Sequence, residues 1–198
     1  MNGVLITAGG NGIGRAMGQA FASAGFRVWV TDVEAASLEA CPADWQKNLV
    51  DASDERQVAQ LFAEVQKTWG RLEAICANAG IAGPTAAVEN IELSDWQRCV
   101  SVNLEGAFLA AKYGGPMLKA ASGAIVLTSS TAGIYGYPNR APYAAAKWGI
   151  IGLMKTLAME WGQLGHGAGR ALGWPPRDLP LGRCRGFFSP ISSSQSGA

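Results

Sequence analysis

Apolar and polar positions along the chain follow two rhythms. Short apolar runs occur at residues 4–7, 27–31, 48–51, 72–77 and 123–128, the length and composition of buried strands. Between them the apolar residues recur every three or four positions. Residues 15–24 place Ala16, Met17, Ala20 and Phe21 on one helical face, and residues 54–69 do the same with Val58, Leu61, Phe62, Val65 and Trp69. A long helix capped by Ser94 is predicted to bury Trp96, Val100, Leu104, Phe108 and Leu109. Another, opened by Pro142, turns Ile150, Ile151, Met154 and Leu157 inward. Residues 33–46 are irregular, with one short helical candidate and a break at Pro42. Strands alternating with helices predict an α/β domain built on a doubly wound parallel sheet, and no internal repeat is present.

The junctions between these elements carry the candidate chemistry. The first strand runs into TAGGNGIG at residues 7–14, and a helix follows. A strand, a glycine turn and a helix N-terminus together present backbone N–H groups to a pyrophosphate. Gly9, Gly12 and Gly14 differ in spacing from the GxGxxG fingerprint, so a bare flexible turn is the competing reading. Asp32 ends the second strand, where a carboxylate hydrogen-bonds ribose hydroxyls and repels a 2′-phosphate, which favours NAD over NADP. Arg15 is the nearest base to that turn. Asn78-Ala-Gly80 follows the fourth strand, at the sheet edge where ligands bind in open α/β sheets. Asn103 is a polar exception in an apolar stripe, either a structural tie or part of a proton route. Tyr143 and Lys147 are one turn apart, so the ammonium can stabilise a phenolate beside it. That spacing alone is common; its weight comes from the motifs before it.

Composition removes several function classes. The formal charge of +1 gives no electrostatic footprint for nucleic acid. Apolar runs are strand-length, and Met1 to Gly3 leads straight into a strand pattern without a signal peptide, so no membrane association and a cytoplasmic location are expected. Cys41, Cys76, Cys99 and Cys184 lie far apart with no CxxC pair, which suits a reducing compartment. His166 is the single histidine, against a Ser-His-Asp hydrolase and against a multi-histidine metal site; no metal is expected.

Taken in order, TAGGNGIG, Asp32, Asp51, NAG at Asn78, VN at Asn103, TSS at Ser130 and YAAAK at Tyr143 resemble the short-chain dehydrogenase/reductase family over residues 1–161. The resemblance implies a Rossmann-like catalytic domain and an NAD(H)-dependent oxidoreductase that interconverts a secondary alcohol and a ketone. Under it Gly9, Asn11, Gly12, Ile13 and Gly14 would hold the pyrophosphate, Asp32 the adenosine ribose and Asp51 the adenine amino group, while Asn78 and Gly80 line the cofactor cleft. Tyr143 would be the general acid/base, Lys147 would bind the nicotinamide ribose and lower the Tyr143 pKa, Ser130 would bond the substrate oxygen, and Asn103 would hold a water leading from Lys147 to solvent. Segments 81–92 and 134–140 would flank a small alcohol or ketone, with Tyr135 and Tyr137 stacking on it or packing on their own loop. A homo-oligomer through the Asn103 and Tyr143 helices is implied as well. Ala8 stands where the family has a glycine, and is strained if its φ is positive.

Residues 162–198 break the pattern. They contain no Val or Thr and one Ile, close to half are Gly, Pro or Ser, and their net charge is +3 against −2 for residues 1–161. The sheet is therefore expected to stop after the fifth strand and the Tyr143 helix, leaving a poorly ordered tail, with a reading-frame change near Gly162 as one origin. The alternative to an active oxidoreductase is a catalytically defective nucleotide-binding fragment of one.

Overall fold

The computed structural model describes residues 1–162 and 170–174. Six strands, β1 (Gly3–Thr7), β2 (Arg27–Asp32), β3 (Gln46–Leu49), β4 (Ala74–Ala77), β5 (Ala124–Thr128) and β6 (Arg170–Trp174), form one sheet in the order β3-β2-β1-β4-β5-β6. Every neighbouring pair is parallel. The helices are α1 (Gly12–Ser23), α2 (Ala35–Glu39), α3 (Glu55–Trp69), α4 (Leu93–Val100), α5 (Gly106–Ala121) and α6 (Ala141–Gly162). This is the doubly wound, Rossmann-like sheet expected, with the strand order reversing between β1 and β4.

Alternation within the apolar runs explains why both faces are covered. Leu5 of β1 packs with Trp29, Ile75, Ile125 and Leu127 beneath α3, α5 and α6. Its neighbours Val4 and Ile6 point the other way, to Val28, Val30 and Cys76, and meet Met17 and Phe21 of α1 and Leu38 of α2. Each such side chain contributes about 1.5–3 kcal/mol when fully buried, and an unbroken apolar run is what a strand buried on both faces requires. Local signals set the helix ends: Asp54 accepts from the Gln57 amide at the start of α3, and Gly70, at φ +66°, closes it.

Three expectations are corrected. β3 begins two residues before the apolar run that predicts it, because an edge strand needs backbone pairing more than apolar side chains. The long helix is interrupted by a π-helical turn at Ser101–Glu105, and Glu92, not Ser94, occupies the N-cap of α4. Within and after that turn the buried residues include Val102, Asn103, Ala107, Leu109 and Ala110, so Leu109 is buried as expected while Phe108 is left 48% exposed. The sheet does not stop at β5. β6 pairs with its whole length, from Ala124 opposite Arg170 to Thr128 opposite Trp174. A parallel ladder is made by backbone groups, and the outer edge of β5 offers a row of them, so a run without β-branched residues can still extend the sheet. The expected poor order of residues 162–198 lies, apart from Gly162 and β6, outside the described residues.

Candidate active site

The C-terminal ends of β1, β4 and β5 are tied together by three short polar side chains. Thr7 Oγ1 accepts from the Asn78 and Ala79 amides, both at 3.0 Å. Asn78 Nδ2 donates to the carbonyls of Thr7 and Ala8 at 3.3 Å, and Asn78 Oδ1 accepts from Thr128 Oγ1 at 3.3 Å. Asn78 thus fixes the start of the glycine loop against the strand where the sheet order reverses.

The loop is shaped by close approach. A Cβ at Gly14 would lie 2.1 Å from the Ala8 carbonyl oxygen, and one at Gly9 would lie 2.6 Å from Val30. At Gly12, φ is +50° and a Cβ would meet nothing within 4 Å, so that side of the loop is open. Asn11 caps α1, accepting from the Gly12 amide at 2.7 Å. This open glycine face, at a helix N-terminus whose amides lack intrahelical partners, fits a dinucleotide pyrophosphate. Ala8 takes φ +49°, the strained conformation its place in the loop demands of any residue there.

Asp32 sits at the end of β2 with Oδ2 accepting from the Gly10 amide at 3.1 Å and Oδ1 from the Val33 and Glu34 amides at 2.8 and 3.2 Å. Asp51 is equally engaged: Oδ1 accepts from the Ser53 amide and hydroxyl, and Oδ2 pairs with Arg98 at 3.1 Å. Burial pushes the Asp51 carboxyl up, but the Ser53 hydrogen bonds and the Arg98 guanidinium outweigh it and hold the group below the usual carboxylate range.

Beyond the loop lies a cleft of about 440 Å³ that gathers Ile13, Asn78, Gly80, Asn103, Ser130, Tyr143 and Lys147, with Ala8, Tyr137 and Arg140 also on its wall. Gly9, Asn11, Gly12, Gly14, Asp32 and Asp51 do not line it. Lys147 is 3% exposed, and its Nζ donates to the Thr128 carbonyl at 3.0 Å. Burial pulls its pKa down to about 8. Its Nζ is 5.6 Å from the centre of the Tyr143 ring. Asn103 sits in the π-helical turn, with Nδ2 donating to the carbonyls of Ile81 and Cys99 at 2.9 and 2.8 Å. Its Oδ1 is buried and has no partner among the described residues. Ser130 caps the short turn Thr131–Gly133 through the Ala132 amide, and Ser129 anchors that turn to α6 by donating to the Lys147 carbonyl at 3.0 Å.

Gly80 explains why these groups approach so closely. A Cβ there would lie 2.7 Å from Asn103 Oδ1 and 3.3 Å from Lys147 Nζ, so both polar ends crowd the same bare backbone. Of the two loop tyrosines, Tyr137 reaches the cleft wall while Tyr135 is exposed and off it. Sequence reasoning did not single out Thr7, Thr128 or Arg140. The two threonines had a signal, since each closes a strand at the edge where ligands bind; Arg140 had only its place in the loop before Tyr143.

A doubly wound sheet with a glycine loop at its order reversal defines a dinucleotide-binding fold, and its cleft places a buried lysine one turn from a tyrosine. The chain belongs to the short chain dehydrogenase family, whose model matches residues 2–165. It is 37% identical to levodione reductase of Leifsonia aquatica in an alignment of 172 positions that covers 82% of this chain and 64% of that protein. It is 36% identical to trans-4-hydroxycyclohexanecarboxylate dehydrogenase of Sinomonas cyclohexanicum, covering 80% of this chain and 66% of that one. The crystal structure of NAD+-bound xylitol dehydrogenase superposes with a TM-score of 0.82 at 28% identity, over 88% of this chain and 69% of its own. The chain thus spans about two thirds of the length of these relatives.

Proposed function

We propose that this protein is an NAD(H)-dependent oxidoreductase that interconverts a secondary alcohol and a ketone. The observation that carries this reading is the convergence of Asn103, Ser130, Tyr143 and Lys147 on one cleft, with the lysine ammonium buried beside the tyrosine ring. A bound nicotinamide dinucleotide supplies or accepts the hydride. Tyr143 gives its hydroxyl proton to the carbonyl oxygen in reduction and takes it back in oxidation. Ser130 hydrogen-bonds that same oxygen. Lys147 holds positive charge near the phenol and so favours the phenolate left after proton donation. The unpartnered Oδ1 of Asn103 accepts from a water that returns protons from solvent.

Asp32 supports NAD as the cofactor. Its carboxylate stands at the end of β2 and already binds the glycine loop, so a 2′-phosphate arriving there would face an acidic group. NADH should bind more tightly than NADPH in equilibrium titrations, and Asp32→Ala should narrow the gap; equal affinities in the native protein refute the assignment. The names of the relatives, levodione reductase and trans-4-hydroxycyclohexanecarboxylate dehydrogenase, support alicyclic ketones and alcohols as the first substrates to try. Loss of NADH absorbance with a panel of cyclic ketones tests the activity. Binding of NADH without turnover of any of them would make this chain a nucleotide-binding fragment.

Two coarser properties complete the proposal. α6 buries Ile150 and Leu157 yet leaves Trp148 51% exposed, and Phe108 of α5 is exposed as well, which supports self-association through these helices. A monomer in analytical ultracentrifugation at micromolar concentration would exclude it. Three buried free cysteines, Cys41, Cys76 and Cys99, support a cytoplasmic location, to be checked by cell fractionation. Among the described residues no helix is long and apolar enough to cross a membrane.

A further inference from the structure

Arg140 immediately precedes α6 and lines the cleft beside Tyr143. Its Cζ lies 5.4 Å from the centre of the Tyr143 ring. One Nη donates to Thr85 Oγ1 at 3.2 Å and the other to the Ala82 carbonyl at 2.8 Å, so the guanidinium is held across from the 82–85 loop. Both partners are neutral. The ion pairs among the described residues, Arg71 with Glu73, Arg98 with Asp51 and Lys112 with Glu55, do not involve Arg140. Nε is buried without a hydrogen-bond partner among the described residues.

The cleft wall shares this imbalance. Among the described residues its charged groups are Arg140 and Lys147, and no Asp or Glu lines it. Arg140 also occupies the positive end of α6, its carbonyl accepting from the Ala144 amide at 2.9 Å. Two cations without a counter-charge among the described residues make a site that attracts an anion, and a guanidinium held by neutral partners keeps N–H groups for a carboxylate. Lys147 is 3% exposed and donates to the Thr128 carbonyl, whereas Arg140 is only half-buried, which leaves Arg140 as the group placed to read the substrate.

We propose that Arg140 is a specificity-determining residue that selects ketones and alcohols carrying a carboxylate a few bonds from the reacting carbon. This rests on the oxidoreductase reading above and names the substrate class of the same cleft. Placed with its carbonyl oxygen against Tyr143 and Ser130, such a substrate would direct its carboxylate to the guanidinium.

The test compares 3- and 4-oxocyclohexanecarboxylate with their methyl esters, which differ from them chiefly in charge. The native protein should show a higher kcat/KM for at least one acid than for its ester, carried mainly by KM and shrinking as salt is added. In Arg140→Gln the acid-to-ester ratio should fall about 10- to 100-fold, the size of a charge-assisted contact. Loss of the loop contacts alone would slow both substrates together and leave the ratio in place. Arg140→Glu should invert the preference toward 4-(aminomethyl)cyclohexanone, which a structural role does not foresee. In case no ketone is turned over, binding of cyclohexanecarboxylate and of cyclohexanemethanol to the protein–NADH complex is measured by calorimetry, so failure of the enzyme reading is seen separately. An acid-to-ester ratio of one or less, or a ratio unmoved in Arg140→Gln, overturns the proposal; without turnover, so does equal binding of the acid and the alcohol.

Discussion

The two ends of the proposed site treat their polar groups in opposite ways. At the end proposed for the nucleotide every carboxylate oxygen of Asp32 and Asp51 is engaged by a backbone amide, a hydroxyl or a guanidinium of the protein itself. At the end proposed for the reaction, among the described residues, Asn103 Oδ1 has no partner, Lys147 is almost completely buried, and Arg140 has no counter-ion. The first end is finished and the second is left short of partners, which under the proposed function substrate, cofactor and water would supply. Groups that act on a reacting bond have to be under-satisfied beforehand, because a group already neutralised gains nothing in the transition state.

Substitutions can break this contrast. The largest effect is expected from Tyr143→Phe, which keeps the packing and deletes the proton: turnover should drop about 10²- to 10⁴-fold while NADH affinity changes far less. Retained turnover in steady-state assays would mean that the acid is misassigned. Next come two glycines that look alike in sequence. Gly14→Ala drives a Cβ into the Ala8 carbonyl and should lower stability by about 3 kcal/mol in urea unfolding, with loss of NADH binding. Gly80→Ala presses on the ends of two side chains instead, so it should slow turnover with a much smaller change in the unfolding midpoint.

Lys147→Met examines the buried charge in the protein without cofactor. The folded pKa of about 8 lies below the ordinary value of 10.5, so folding disfavours the charged form. The penalty is full below pH 8, on the order of 3 kcal/mol, and is relieved as pH rises from 8 to 10.5. Lys147→Met should therefore melt above the native protein at pH 7, with the advantage fading by pH 10.5; a difference independent of pH would show that the charge is not what matters. Smallest is Ala8→Gly, which should stabilise by about 1 kcal/mol in calorimetry by relieving the positive φ.

The finished end was the more legible in sequence. Gly9, Gly12, Gly14 and Asp32 announce themselves because a turn and a strand end admit few residue types there. Tyr143, Lys147, Ser130 and Asn103 were legible as an ordered set, but not the state in which the fold holds them. The unpartnered Oδ1 of Asn103 depends on a π-helical turn, and no residue within Ser101–Glu105 signals the extra backbone step. Arg140 escaped because the role proposed for it rests on the absence of carboxylates from the cleft among the described residues, a three-dimensional property. β6 escaped because its pairing is a matter of backbone on an open edge, which composition does not register.

The strand order also sets a timetable for synthesis. β1 pairs with β2 on one side and with β4 on the other, and 41 residues separate the end of β2 from the start of β4. At translation rates of about 5–20 residues per second, the nascent chain carries β1 with one side unpaired for roughly 2–8 s. Through that interval Leu5 and Ile6 lack the neighbours Ile75 and Cys76 that later lie beside them. Ribosome-stalled chains that have exposed β3 but not β4 should be cut readily by protease, and those that have exposed α5 should resist.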